Sequence, residues 1–381
     1  MKWEKVKLGE LYEVHNGLSK AGKFFGEGYP FLTFSTVFNN YFIPKQITDL
    51  VQSTEKEQES YSIRRGDVFV TRTSETSDEL GMSCVALKDY PMATYNGFTK
   101  RMRPITNRVF PEYIGYYMRL PSFRGEFRAF STMTTRASLR NEDLLGLEVK
   151  LPSIEIQKQI AGILSVYDDL IENNQKQIKL LEEAAQRLYK EWFVDLRFPG
   201  HENTKIVDSV PEGWRRGLLK ELISVNYGKD HKKVPDDGNI PVYGSGGLMR
   251  KCNKSLFSGE AVLIPRKGSL NNIMYVDETF WTVDTMFYAT MKQPHTAVFV
   301  YFFVKAFDMY SMNIGAAVPS MTTKILDAMD VVIPDKETLE KFDKYAKVYF
   351  NKIKTLQGQN EQLKTARDLL LPKLMSGEVE V

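Results

Sequence analysis

Basic, hydroxyl and amide side chains are concentrated in a few loop segments of this 381-residue chain. In the first part of the sequence these residues are Thr71, Arg72, Thr73, Ser74, Thr134, Thr135, Arg136 and Arg140. In the second part they are Lys229, His231, Lys232, Lys233, Arg266, Lys267, Ser269, Asn271, Asn272, Ser320, Thr322 and Thr323. Exposed side chains of these types can bind phosphate groups and donate hydrogen bonds to base edges. Each one taken alone could equally be a solvated loop residue.

Motifs for covalent chemistry are missing from the sequence. It contains no Asn-Pro-Pro-Tyr or Asp-Pro-Pro-Tyr tetrapeptide of amino-methyltransferases, no glycine-rich cofactor loop after a strand and no G-x-x-x-x-G-K-S/T phosphate loop. Glu148-Val149-Lys150 resembles the end of a nuclease Asp…Glu-x-Lys set, but its counterpart Asp330-Val331-Val332 lacks the lysine. The two cysteines are isolated and the four histidines are scattered, so we expect neither catalytic residues nor a metal site.

A long amphipathic helix is predicted between residues 151 and 196, after the start signal Pro152-Ser153. Its apolar residues recur at steps of three and four, and they are Ile156, Ile160, Ile163, Tyr167, Leu170, Ile178, Leu181, Ala185, Leu188 and Trp192. Such a helix would be about 60 Å long at 1.5 Å per residue. Its apolar face requires a partner of similar length.

Residues 334–381 supply that partner, because an offset of 182 aligns Pro152 with Pro334 and Leu188 with Leu370. Asn174 and Asn360 interrupt the apolar faces, and a buried asparagine at such a position fixes the register of a helix pair. We therefore predict an antiparallel coiled coil. A helix packed on a globular core is the simpler alternative, but it does not explain the repeat.

The globular parts are duplicated as well. An offset of 211 aligns Trp3 with Trp214 and Gly17 with Gly228, and each copy is predicted to be a short strand or turn followed by a brief helix that ends at the glycine. Residues 66–70 match residues 259–263, each predicted as a turn leading into a buried strand. The aromatic segments 110–117 and 298–303 are predicted as core helices or strands. Residues 147–151 and 331–333 are predicted as strands that precede the long helices.

These features predict a mixed α/β chain with a pseudo-two-fold internal repeat. The predicted parts are globular region 1–150, helix 151–196, linker 197–212, globular region 213–333 and helix with tail 334–381. The tail is expected to pack near the amino terminus. The helical parts match in length while the globular parts differ, which indicates a spacer of fixed length between two different binding regions. The net charge of +3 permits nucleic-acid binding through segregated loops without demanding it.

The arrangement of globular region, long helix, globular region and long helix resembles the specificity subunit of type I restriction–modification systems. The local segments that carry this resemblance are LPSIEIQKQIAGIL (151–164), RLYKEWFVDLRFPG (187–200), VPEGW (210–214) and LLLPKLMSGEV (369–379). The segment IPDKETLEKFDKYAK at the start of the second helix departs from the Gln- and Ile-rich pattern of the family.

The resemblance implies two target-recognition domains, each binding half of a split, asymmetric sequence in double-stranded DNA. It also implies that the helices set the gap between the halves and dock two adenine methyltransferase subunits, with restriction and translocase subunits completing the complex. S-adenosylmethionine, ATP and magnesium would be used by those partners. Arg136→Ala and Arg266→Ala are each expected to weaken recognition of one half-site.

An assembly scaffold that binds only proteins is the alternative, and the modest net charge keeps it open. No stretch of the sequence approaches the length of a membrane span, so we expect a cytoplasmic protein. The bases recognised, the length of the gap and the loops that enter each groove do not follow from the sequence.

Overall fold

The computed structural model describes residues 3–74, 80–129, 137–312 and 320–381. The chain divides into two compact units, one formed by residues 1–173 with 359–381 and the other by residues 174–358. Each unit therefore contains one globular region and part of each long helix. None of the described helices is long and apolar enough to cross a membrane.

The first unit is built around a four-stranded antiparallel sheet. The strands of the whole unit are β1 (Glu4–Lys7), β2 (Tyr12–Asn16), β3 (Phe25–Leu32), β4 (Leu50–Val51), β5 (Val68–Thr71), β6 (Thr73–Ser74), β7 (Ser83–Val85), β8 (Thr94–Tyr95), β9 (Thr99–Pro104), β10 (Ala137–Ser138) and β11 (Glu148–Leu151). Its short helices are α1 (Leu8–Leu11), α2 (Phe34–Asn39), α3 (Glu55–Ser60), α4 (Pro111–Tyr117), α5 (Pro121–Ala129) and α6 (Asn141–Gly146). The main sheet has the order β2-β9-β5-β7, and β1 pairs with β11.

The long helix α7 (Ile154–Tyr189) continues into a short π-helical segment, Lys190–Val194. The strands that follow are β12 (Ile206–Val207), β13 (Val210–Pro211), β14 (Arg215–Leu218), β15 (Ile223–Tyr227), β16 (Ile240–Gly244), β17 (Gly247–Cys252), β18 (Phe257–Pro265), β19 (Met274–Thr282), β20 (Met286–Met291) and β21 (Asp330–Ile333). The remaining helices are α8 (Ala297–Lys305), α9 (Thr323–Asp327) and α10 (Lys336–Ser376). The six-stranded sheet of the second unit has the order β15-β20-β18-β19-β16-β17, and β14 pairs with β21.

The internal duplication is visible in the strand order. The arrangement β2-β9-β5-β7 of the first unit corresponds to β15-β20-β18-β19 of the second, and the pair β1-β11 corresponds to β14-β21. A parallel pairing recurs too, between β3 and β8 in one unit and between β16 and β19 in the other. The predicted mixed α/β fold with an internal repeat is confirmed. The aromatic segments at 110–117 and 298–303 are helices, because their apolar side chains are buried all round.

Two local predictions from the repeat are wrong. The residues before Gly17 and Gly228 form the strands β2 and β15 rather than a helix, because successive residues there pair with β9 and β20. Helical structure in this region is limited to the single turn α1 and a 3-10 turn at Leu219–Glu221. Gly259 lies inside β18 with φ +124° rather than in a turn, whereas Gly66 does occupy a turn.

Antiparallel packing of the long helices occurs within each unit. In the first, Arg367 near the end of α10 forms an ion pair with Asp168 of α7, and Tyr116 donates a 2.5 Å hydrogen bond to the same carboxylate. In the second, the ring of Tyr189 at the end of α7 lies 6.3 Å from Phe342 near the start of α10. The predicted antiparallel direction is therefore confirmed.

The buried face of α7 differs from the predicted one in detail. Ile163 and Leu170 are 38% and 45% exposed, while Ile160, Leu164 and Ile171 are buried. The apolar residues of α7 follow two neighbouring rows along the helix, and the spacing of three and four residues does not show which row is buried. The buried face is therefore narrower than the set of apolar residues in the sequence.

Two further predictions concern the middle of the long helices and the tail that follows α10. Asn174 and Asn360 are both buried, as expected of residues that fix the register, although their predicted role is not tested by their burial. After α10, a Cβ atom added to Gly377 would lie 3.4 Å from the Trp3 ring, and Leu374 and Met375 join the core of the first unit, against which Trp3 packs. The tail therefore does pack near the amino terminus.

Candidate nucleic-acid interface

Arg72 lies at one end of the main sheet in the first unit, directly after β5. Its N–H donates a 3.0 Å hydrogen bond to the Phe98 carbonyl, and its own carbonyl accepts a 2.9 Å bond from the Leu139 N–H. Its Nη1 donates to Oδ1 of Asn16 over 3.3 Å. The Nε–H group is buried and has no hydrogen-bond partner among the described residues. The backbone of Arg72 is thus fixed by two hydrogen bonds, and its guanidinium is held by Asn16.

Lys100 lies opposite Asn16 in the pairing of β2 with β9, and Asn16 is the residue that accepts a hydrogen bond from Arg72. Lys100 is only 5% exposed, and its ammonium group donates to the Asn141 side chain. Burial lowers the pKa of Lys100, and the nearby charge of Arg72 lowers it further. The Asp143 carboxylate is near as well and opposes this shift, so Lys100 and Arg72 are neighbouring cations with one acidic neighbour. Lys100 was not among the predicted residues, although the basic run from Lys100 to Arg103 was a usable signal.

Arg266 occupies the corresponding position in the second unit, directly after β18. Its N–H donates a 2.8 Å hydrogen bond to the Thr285 carbonyl, and its carbonyl accepts a 2.9 Å bond from the Met321 N–H. These two bonds match those of Arg72. Phe98 directly precedes β9, the neighbour of β5, and Thr285 directly precedes β20, the neighbour of β18. The structure therefore brings Arg72 and Arg266 to equivalent points of the repeat.

The surroundings of the two arginines differ in chemistry. The guanidinium of Arg266 lies 5.6 Å from the centre of the Tyr227 ring, in a cation–π contact. Tyr227 pairs with Phe287, and the two rings are edge to face with centroids 5.0 Å apart. The equivalent pair in the first unit is Asn16 with Lys100. One unit thus surrounds its arginine with polar groups and the other with aromatic rings, so the two sites cannot favour the same ligand features.

The other predicted residues of the first unit have varied positions. Thr71 was expected to be exposed, but it is fully buried in β5, where its hydroxyl accepts a 2.9 Å bond from the Met82 N–H. The expectation was wrong because the strand extends one residue further than the hydrophobic run. Thr73 and Ser74 form β6, and Thr134, Thr135 and Arg136 lie outside the described residues.

Arg140 precedes α6 and is exposed, but its guanidinium makes two hydrogen bonds of 2.8 and 3.0 Å to Asp143. The Arg140 hydrogen bond is the main reason why the pKa of Asp143 is lowered. A ligand phosphate would therefore have to compete with this carboxylate for the guanidinium.

Several predicted residues of the second unit hold the loop that follows Arg266. Asn271 donates to Asp308 over 2.9 Å and accepts from the Met309 N–H over 2.8 Å, and Asn272 donates to the Ser245 carbonyl over 2.9 Å. Thr322 caps α9, and Thr323 is the first residue of that helix. These side chains position the loop rather than extend from it.

Lys267 and Ser269 remain exposed on the same loop. The backbone of Lys267 forms a bridge with Ser320, so the predicted segments around 266 and 320 lie side by side.

The basic segment after Gly228 forms a second loop of this unit. Lys229, Lys232 and Lys233 are exposed, and His231 is partly buried. The guanidinium of Arg250 donates to the His231 carbonyl over 2.6 Å. An open depression of about 490 Å³ is lined by this segment together with Asp236 and Arg250.

No group of three or more histidine, cysteine, aspartate or glutamate side chains could hold a metal ion within residues 3–74, 80–129, 137–312 and 320–381. Glu148 of the nuclease-like tripeptide lies on β11, with its carboxylate 3.5 Å from the Lys5 ammonium group. Each unit has an arginine at the equivalent point of its sheet, and the second unit has two basic loops as well.

Comparison with known proteins gives a consistent result. The family described as "Type I restriction modification DNA specificity domain" matches residues 1–183 and again residues 211–365. The MjaIX specificity subunit of a type I restriction enzyme from Methanocaldococcus jannaschii is 25% identical, covering 100% of this chain and 94% of the relative. The HindI specificity subunit from Haemophilus influenzae is 22% identical, covering 99% of each.

A solved structure shares the fold. The S subunit of a type I restriction-modification system from M. genitalium superposes with a TM-score of 0.56 at 17% identity, covering 98% of this chain and 96% of the other. The duplicated sheets described above coincide with the two segments that match the family. The chain therefore belongs to the type I restriction modification DNA specificity family.

Proposed function

We propose that this chain is the DNA-recognition subunit of a type I restriction–modification enzyme. Each globular region binds one half of a bipartite, asymmetric sequence in double-stranded DNA. The observation that carries the proposal is the equivalent placement of Arg72 and Arg266 in different surroundings. Arginine is the residue that most often recognises guanine through its O6 and N7 atoms. Two copies of one scaffold with different neighbours around this arginine are suited to two different half-sites.

The alternative of a scaffold that binds only proteins is less well supported. A protein-binding loop has no need for exposed lysines at 229, 232, 233 and 267, whereas phosphate contacts require such charges.

The reactions belong to partner subunits in this proposal. Methyl transfer requires the target base to be extruded into a pocket, which a methyltransferase subunit would supply with S-adenosylmethionine. Two such subunits would dock on the helices α7 and α10. Restriction and translocase subunits would add ATP and magnesium. The chain itself would be non-catalytic and would act in the cytoplasm, together with these partners.

The long helices would set the gap between the two half-sites. Their lengths support this role, since α7 together with the π-helical segment Lys190–Val194 is as long as the 41-residue α10, while the globular regions differ in length. Asn174 and Asn360 would fix the register of the pair, because a buried amide accepts only alignments that supply it with a hydrogen-bond partner.

An exchange of globular regions tests the proposal. Residues 213–333 are replaced with the aligned segment of the Haemophilus influenzae relative, and the chimera is expressed with the methyltransferase that serves the wild-type chain. We expect one half of the methylated sequence to change while the other half and the gap are retained. The reciprocal exchange of residues 1–150 should change the opposite half. A methylated sequence that stays the same in both chimeras would favour the scaffold.

A further inference from the structure

Two large apolar side chains are exposed on the edge strand of the second unit. The strands β16 and β17 form a hairpin, and β17 is the last strand of the six-stranded sheet. Leu248 and Met249 of β17 are 59% and 53% exposed. They are consecutive residues, and in a regular strand consecutive side chains point to opposite faces of the sheet. Their common exposure therefore needs a local cause.

That cause is a β-bulge. Tyr243 pairs with Leu248, whereas the preceding Val242 pairs with Arg250, so Met249 is an extra residue in β17. A bulge bends its strand and redirects side chains, and it also disrupts the row of backbone groups with which another strand could pair. The edge is therefore unsuited to adding a strand from another protein. It is suited to a contact made through its side chains.

The bulge lies between the two basic loops of the unit. On one side, Ser245 of the hairpin turn accepts the 2.9 Å hydrogen bond from Asn272, whose loop carries Lys267. On the other side, Arg250 donates to the carbonyls of His231 and Val234 over 2.6 and 2.9 Å, which fixes the loop that carries Lys232 and Lys233. Leu248 and Met249 therefore have exposed lysines on both sides. This arrangement is complementary to a polyanion that presents apolar groups between its phosphates.

Duplex DNA presents one such group, the C5-methyl of thymine, in its major groove. A two-stranded β-ribbon fits this groove, which is about 12 Å wide, whereas the minor groove is about 6 Å wide. We propose that Leu248 and Met249 are specificity-determining residues that contact thymine methyl groups in the second half-site. The inference rests on the proposed function. It adds that at least one A·T pair in the half-site bound by residues 213–333 is distinguished by its thymine methyl group.

The test compares thymine with uracil, which lacks only the methyl group. Once the methylated sequence is known, duplexes are made in which each thymine of the second half-site, on either strand, is replaced singly by uracil. Methyl transfer by the complete complex of this chain with its methyltransferase is then measured at limiting DNA. We expect at least one replacement to lower the rate about fourfold, the value of one buried methyl group.

Variants of the bulge make the test specific. Leu248→Ala and the double variant Leu248→Ala/Met249→Ala should bring the thymine-to-uracil ratio at that position close to one. Because both side chains are largely exposed, the thermal unfolding midpoint of Leu248→Ala should equal that of the wild type. Val207→Ala is the matched control, since Val207 is 64% exposed in the same unit but lies in the β12–β13 hairpin. It should keep the wild-type ratio.

The outcomes separate this inference from the proposed function. A split methylated sequence without thymine in the second half, or with thymines that all tolerate uracil, overturns the methyl contact alone. Equal losses on thymine and uracil duplexes in the Leu248→Ala variant also overturn it, and would indicate an apolar wedge or a protein contact instead. If methylation does not depend on this chain at all, the proposed function fails first.

Discussion

Arg266→Ala should relax recognition at a single base-pair position in the half-site bound by the second unit. The backbone of Arg266 is fixed by two hydrogen bonds, and its guanidinium is oriented by the Tyr227 ring and by a 3.2 Å bond to the Asp284 carbonyl. Little side-chain entropy is therefore lost when it meets a base. Loss of a well-placed arginine contact should cost about 1–3 kcal/mol of discrimination against the wrong base.

The measurement is the methylation rate on duplexes that carry single base-pair changes in either half. Arg266→Ala should lose discrimination in one half only, and Arg72→Ala should do so in the other. Arg215→Ala is the control. Arg215 lies on β14 of the same unit and its side chain is 52% exposed, but its guanidinium forms a 2.7 Å ion pair with Glu221. Equal losses on all sequences would make Arg266 a phosphate contact, and no loss would remove it from the interface.

Lengthening both long helices should widen the gap in the recognised sequence and leave both halves unchanged. Seven residues inserted after Asn173 and seven after Gly358 fall where the two compact units divide, so contacts inside each unit are preserved. Seven residues nearly complete two helical turns and keep the apolar face in line. They add about 10 Å, which corresponds to about three base pairs.

The lengthened chain should methylate more slowly, because three further base pairs rotate one half-site by about 100° about the DNA axis. Insertion into α7 alone is the control, and it should abolish methylation by placing the helices out of register. Sequencing of methylated adenines gives the answer. Changed half-sites with an unchanged gap would refute the spacer role of the helices.

The spacing of apolar residues and the internal repeat made most of the fold predictable. The long helices follow from apolar residues at steps of three and four, and the alignment of Trp3 with Trp214 indicated that the globular regions are duplicated. Details failed where one residue decides the outcome. Thr71 was placed in a loop because threonine follows the apolar run equally well inside or outside a strand. Ile163 and Leu170 were placed in the helix interface because two rows of the same helix are apolar.

The site was less predictable than the fold. Arg72 and Arg266 could be proposed because basic residues follow a buried strand in both copies. Their equivalence could not, since it depends on backbone bonds to Leu139 and Met321 more than 50 residues away. Lys100 and Tyr227 were missed because their importance comes from the strand opposite them. Leu248 and Met249 could not be identified from the sequence, because the β-bulge that contains Met249 is defined by the pairing of β17 with β16.

If two separate regions of one chain select a divided DNA sequence, the methylated adenines of the genome should reveal that sequence. They can be mapped in cells that express this chain with its methyltransferase and in cells that lack the chain. We expect a split sequence with a gap of fixed length, which disappears when the chain is absent. A continuous sequence, or a pattern that persists without the chain, would contradict this expectation.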